Sequence, residues 1–269
     1  MPPLLAAAAL GAAFLLSRRA APSRESVLPL SRAVADQEKA LDRAAARAFP
    51  LTPDQERRIG ARIDARLSRE AAPRPGSPAA ARAARWSRLG RLAESSPLVT
   101  RFRGRYVFRT TLRGGVNAFA VPGGYVYATD ALLRRFPKDD DALLFVLGHE
   151  LGHVELGHCA DAYRLTAASD PAREVLGGAL SLGRLFVELH FSPTQELEAD
   201  AFSVRLLRSL GRDPRAGLRV FDGLGLRAGG NVKRGPGEVA AEGLADYFRT
   251  HPGAWERRAA LERDIEETR

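Results

Sequence analysis

The residues with the most chemical potential are His149-Glu150-Leu151-Gly152-His153, an H-E-x-x-H pentapeptide inside a stretch of helical character. Four residues along a helix advance about 6 Å and turn only about 40° past a full revolution. Both imidazoles therefore lie on one face and can converge on a single ion. Zinc suits such a pair, and Glu150, next to the first histidine, is placed to act as general base toward a water in the open position. A third protein ligand is needed. His158 does not supply it, because five residues past His153 a helix has turned about 500°, away from the face of the pair. It reads as a structural histidine or a support for the ligands. Glu196-Leu197-Glu198-Ala199-Asp200, on a later helix, offers a better set. Glu196 can bind the ion. Asp200, four residues on and on the same face, can accept the outer N–H of a ligand histidine and fix its tautomer. Glu198 points roughly 160° away from Asp200 and is the weaker choice. His190 has no motif around it and reads as structural.

These residues need elements to carry them. Tyr106 to Leu112 is rich in strand formers, and Gly114-Gly115 turns the chain into a second strand, Val116 to Val121. Pro122-Gly123-Gly124 turns it again into Tyr125 to Ala128. Thr129-Asp130 caps a short helix, and Asp139-Asp140-Asp141 caps the next, which carries the H-E-x-x-H and is expected to run to about Asp161. Ser192-Pro193-Thr194 opens the helix that bears Glu196 and Asp200. Helices are expected near Pro214 to Leu224 and Ala254 to Glu267, with a glycine-rich loop from Asn231 to Gly237 between them. Upstream, Ser31 to about Arg69 is helical in pattern and broken at Pro50 to Pro53. A loop with three prolines and a short helix over Ala79 to Ala93 follow. The expected class is α+β, mostly helical, with a small β-sheet beside the active-site helix.

Composition narrows the function. The chain has 269 residues and a formal net charge of +9. That charge is almost all arginine, spread along the chain among acids and unaccompanied by a nucleic-acid motif, so no nucleic-acid partner is expected. A possible membrane surface remains as a partner. Cys159 is the single cysteine, which excludes an intrachain disulfide and a cysteine zinc cluster. Leu4 to Leu16 is apolar but short for a membrane span, and it reads as an export signal or membrane anchor. Three regions are expected: residues 1–30 as signal or anchor and tail, 31–95 as a helical region, and 96–269 as the domain that carries the metal-site motifs.

Taken together, four segments resemble the M48 family of zinc metallopeptidases, and within it the Oma1-type and periplasmic Ste24-like members. They are Asn117 to Gly124 with the Tyr125-Val126-Tyr127 strand after it, His149 to His158, Glu196 to Asp200, and Thr250-His251-Pro252 with Arg257 beyond. The resemblance covers about Ser96 to Leu261. It implies a gluzincin-like fold with one Zn2+ per chain, held by His149, His153 and Glu196, and Glu150 as the catalytic base. It also implies that the strand through Asn117, Ala118, Phe119 and Ala120 edges the cleft, where an extended polypeptide substrate can pair as an added strand. His251 has two readings: donor to the oxyanion of the tetrahedral intermediate, or a ring that moves onto the metal and blocks it. The expected activity is endopeptidase cleavage of unfolded or extended polypeptides, in quality control at the cell envelope, periplasmic or membrane-anchored. The alternative is a non-catalytic holdase or assembly factor on the same scaffold, against which stands the full set of three ligands and Glu150.

Overall fold

The computed structural model describes residues 51–71, 73–112, 114–169, 191–226, 247, 251 and 253–267. All of them fall in one compact unit, Ala45–Arg269. The expected signal or anchor, the helical pattern of 31–50, His190, the 231–237 loop, Thr250 and Pro252 lie outside the described residues. In chain order the elements are α1 (Pro53–Ala71), α2 (Pro78–Glu94), β1 (Val107–Thr111), β2 (Ala118–Val121), β3 (Tyr125–Thr129), α3 (Asp130–Arg135), α4 (Asp140–Glu155), α5 (His158–Ser169), α6 (Pro193–Ser209), α7 (Ala216–Gly223) and α8 (Ala254–Glu267).

The sheet has the order β1-β3-β2. β2 and β3 form the antiparallel hairpin that Pro122-Gly123-Gly124 predicts, with Ala118 opposite Ala128. β1 pairs β3 in parallel, Val107 opposite Tyr125. Because side chains alternate along a strand, the hairpin serves two layers. Phe119, Val121, Tyr125 and Tyr127 pack against Ile59 and Ile63 of α1 and Tyr163 of α5. Ala118, Ala120, Val126 and Ala128 face the main core. Their small side chains let α4 approach the sheet closely.

α4 is the central element. Every residue from Ala142 to Val154 is buried, so the helix is enclosed on all sides and carries His149, Glu150 and His153 into the core. Asp139 starts it, accepting the Ala142 N–H at 2.9 Å. α6 lies against it where Gly148 and Gly152 face Ser203 and Ala199. A Cβ at Gly152 would stand 3.1 Å from Ala199 Cα, so glycine here sets how near α4 and α6 come. Ser203 Oγ donates to the Phe145 carbonyl at 2.7 Å and ties the pair together. α6 itself opens with Ser192 and Gln195 in a reciprocal capping box.

The helix with the H-E-x-x-H does not run on to Asp161. α4 stops at Glu155, Gly157 takes φ 85°, and α5 begins at His158. A left-handed φ of this kind favours glycine and ends a helix. The rotation argument that turned His158 away assumed a continuous helix, so the break re-aims that residue.

Candidate metal centre

α4 and α6 bring their motif residues together at the middle of the core. His149, Glu150, His153 and Glu196 are each 0% exposed. The Nε2 atoms of His149 and His153 lie 3.1 Å apart. Glu196 Oε2 is 3.4 Å from His149 Nε2, and Glu196 Oε1 is 3.4 Å from His153 Nε2. His251 enters from the segment before α8, with Nδ1 3.2 Å from His149 Nε2 and 3.0 Å from Glu196 Oε1. One ligand atom from each of these four residues lies within 4.8 Å of every other.

The donor set fits a divalent cation. His149 Nδ1 lies 2.8 Å from Asp200 Oδ1, and donation to that carboxylate leaves a lone pair on Nε2 facing the cluster. Tetrahedral zinc with bonds of about 2.0–2.1 Å keeps its ligand atoms about 3.4 Å apart, close to the separations here. Lone pairs and carboxylate oxygens converge, an arrangement that a cation between them stabilises.

Electrostatics point the same way. Burial and Arg257 would lower the pKa of His149, yet Glu196 and Asp200 outweigh them and hold it up at about 9. The acids thus favour positive charge at this point. Burial would raise Glu196, but His251, Arg257 and His149 keep it well below the carboxylate range and hence ionised. His153 is pushed well below the usual imidazole range, first by burial, so its ring is neutral and able to ligate. Glu150 is raised by burial, and among the described residues neither of its oxygens has a hydrogen-bond partner. Its Oε1 lies 3.4 Å from His251 Nε2.

Arg257, 1% exposed, neutralises the ligand helix from behind. It donates to both Asp200 oxygens, from Nε at 2.7 Å and Nη2 at 2.8 Å. Its Nη1 lies 2.6 Å from Glu196 Oε2. Asp200 stays ionised because Arg257 and His149 overcome the effect of burial. Sequence reasoning noted Arg257 only as family context. Its role has one trace in the sequence, a place in α8 on the same face as Leu261 and Ile265, which are buried. Two aromatic supports carry no such trace: Phe191 stacks on the His153 ring at 3.7 Å, and Tyr247 on the His251 ring at 4.7 Å.

His158 stays close to the cluster, with Nδ1 3.0 Å from His153 Nδ1. Glu198 stands outside it, half-exposed, and faces His158. Asn117 is buried just before β2, which stands at the edge of the sheet. Cys159 is buried beside the site, and burial pushes its thiol well above the ordinary range, so it is inert.

Comparison with known proteins gives one family. The model of peptidase family M48 matches residues 87–265. Mitochondrial metalloendopeptidase OMA1 of Arabidopsis thaliana is 33% identical over 152 residues, 54% of this chain and 29% of that protein. Metalloprotease LoiP of Escherichia coli (strain K12) is 33% identical over 123 residues, 41% of this chain and 48% of that protein. Metalloprotease YcaL of the same organism is 29% identical over 162 residues, 56% of this chain and 58% of that protein. The chain thus spans between about a third and somewhat more than half of the length of these relatives.

Proposed function

The chain belongs to peptidase family M48, and from that premise we propose that it is a zinc-dependent metalloendopeptidase that cleaves unfolded or extended polypeptides. The observation that carries this reading is Glu150. A carboxylate at 0% exposure whose oxygens have no hydrogen-bond partner among the described residues is costly to maintain, and it stands beside three converging ligand atoms. Such a group is suited to receive a proton from a water that enters with substrate.

His149, His153 and Glu196 would hold the zinc. When bound, the ion supplies Lewis acidity, which lowers the pKa of a water and polarises a carbonyl. Glu150 takes the proton of the attacking water and passes it to the leaving amine. Its raised pKa suits both halves of that exchange. Asp200 orients His149, and Arg257 keeps Asp200 and Glu196 in place. The edge strand through Asn117, Ala118, Phe119 and Ala120 aligns an extended substrate by backbone pairing, which selects little by side chain.

His251 belongs to a closed state of the site in this reading. Donation of its Nε2–H to the Ala118 carbonyl, 3.3 Å away, turns the Nδ1 lone pair into the cluster as a ligand would. The ring must leave before a substrate can enter. We place the enzyme at the cell envelope, on the strength of the apolar Leu4–Leu16 stretch, and assign it to protein quality control there because the proposed substrates are unfolded polypeptides. Among the described residues no helix is long and apolar enough to cross a membrane.

The test is zinc content and casein cleavage by the purified full chain, beside Glu150→Gln and Glu196→Ala. Wild type should hold one zinc and cleave. Glu150→Gln should keep the zinc and lose cleavage, and Glu196→Ala should lose the zinc. Folded wild type without zinc, or full cleavage by Glu150→Gln, would sink the proposal. Zinc without cleavage, persisting in His251→Ala, would favour the non-catalytic holdase.

A further inference from the structure

The two ligand histidines are braced from behind in different ways. His149 Nδ1 meets Asp200, which is buried and locked by Arg257. His153 Nδ1 meets another imidazole, His158 Nδ1, at 3.0 Å. The far nitrogen of His158, Nε2, lies 3.3 Å from Glu198 Oε2. His158 is 3% exposed, whereas the Glu198 side chain is 43% exposed. The line therefore runs from the centre of the cluster to the surface, across the break at Gly157 that re-aims His158.

One tautomer pattern satisfies this geometry. His153 can turn an Nε2 lone pair toward a cation only as the neutral ring with hydrogen on Nδ1. That N–H needs an acceptor, and His158 Nδ1 is one only when it carries no hydrogen. His158 then bears its hydrogen on Nε2 and donates it to Glu198. We propose that His158 and Glu198 are positioning residues for His153: a relay, Glu198 to His158 to His153, that fixes the ligand tautomer and ring orientation. It replaces the direct carboxylate brace that His149 has, and it rests on the metal reading given above. Supports of this kind change metal affinity by about 10–100-fold when removed. A histidine present only for packing would need neither the second nitrogen nor the acid behind it.

The experiment is metal binding to the folded full chain, measured for Zn2+ by competition with a chromophoric chelator and for Co2+ by its visible spectrum. His158→Ala should weaken Zn2+ binding about 10–100-fold and alter the Co2+ spectrum. His158→Gln, whose side-chain oxygen can accept from His153, should recover part of the loss. Glu198→Ala, which removes the acceptor at a half-exposed position, should weaken binding less and decides the matter if His158→Ala does not fold. With only five histidines in the chain, long-range 1H–15N spectra of the zinc-loaded protein can also assign the ring hydrogens. The relay predicts Nε2–H on His158. Unchanged affinity in both His158→Ala and Glu198→Ala, or Nδ1–H on His158, overturns the relay while the metal site stands. No metal bound by folded wild type overturns the metal reading and the relay with it.

Discussion

His251 Nε2 lies 3.3 Å from the carbonyl oxygen of Ala118, so the ring that joins the ligand cluster also occupies a backbone acceptor at the start of edge strand β2. A substrate that pairs with β2 would compete for that acceptor. The ring is held by stacking on Tyr247 and by its polar contacts with Glu196 and the Ala118 carbonyl, all of them noncovalent, so it is displaceable.

Removing the ring should therefore release the site. His251→Ala is expected to raise kcat/KM for an unfolded substrate severalfold at unchanged zinc content. Steady-state cleavage of a quenched peptide reads this out. A fall of about 10-fold or more would instead assign His251 to the oxyanion.

Arg257 is the cation between two buried carboxylates, Glu196 and Asp200. Arg257→Gln leaves His149 as the remaining cation against both carboxylates, and removal of one partner of a buried ion pair costs about 3–5 kcal/mol. Urea unfolding of the metal-free protein should show a loss of that size. A loss under about 1 kcal/mol would mean that water reaches the pair.

Gly152 sets the spacing between α4 and α6. In Gly152→Ala the new Cβ would sit 3.1 Å from Ala199 Cα and 3.2 Å from its carbonyl oxygen, backbone atoms that cannot rotate away. The helices should part by a few tenths of an ångström, at about 1–3 kcal/mol. Glu196 retreats from the histidines with α6, so chelator competition should register weaker zinc binding as well. Full affinity in a stable Gly152→Ala protein would refute the spacing argument.

Asp139 caps α4 and pairs with Arg219, which holds its carboxyl below the usual range. A lowered folded pKa stabilises the protein fully above the unfolded value, about 3.9, and the benefit fades as pH falls through the folded value. Asp139→Asn keeps a cap and loses the charge. Its deficit against wild type should be constant from pH 7 to 5 and shrink below about pH 4 in urea titrations. The pair is partly exposed, so the deficit should be about 0.5 kcal/mol and smaller in high salt. A deficit unchanged at pH 3 would remove Asp139 ionisation as its source.

The sequence by itself determined the parts whose logic is local. A helical period places His149 and His153 on one face and Glu196 and Asp200 on another, wherever those helices lie. Pro122-Gly123-Gly124 specifies a turn, and Asp139 and Ser192 mark helix starts, because caps and turns are satisfied within a few residues. Tertiary structure decided the rest. The parallel pairing of β1 with β3 depends on which edge the core leaves open, and no local pattern encodes that. His158 faces His153 only because Gly157 breaks the helix, and a lone glycine favours a helix end without by itself fixing one. Arg257 reaches Asp200, and His251 reaches Ala118, across distances in the chain that packing alone closes. The ligands of a metal can be read from their spacing along a helix. The groups that orient, neutralise and cover them come from other elements, and only the folded core brings those to the site.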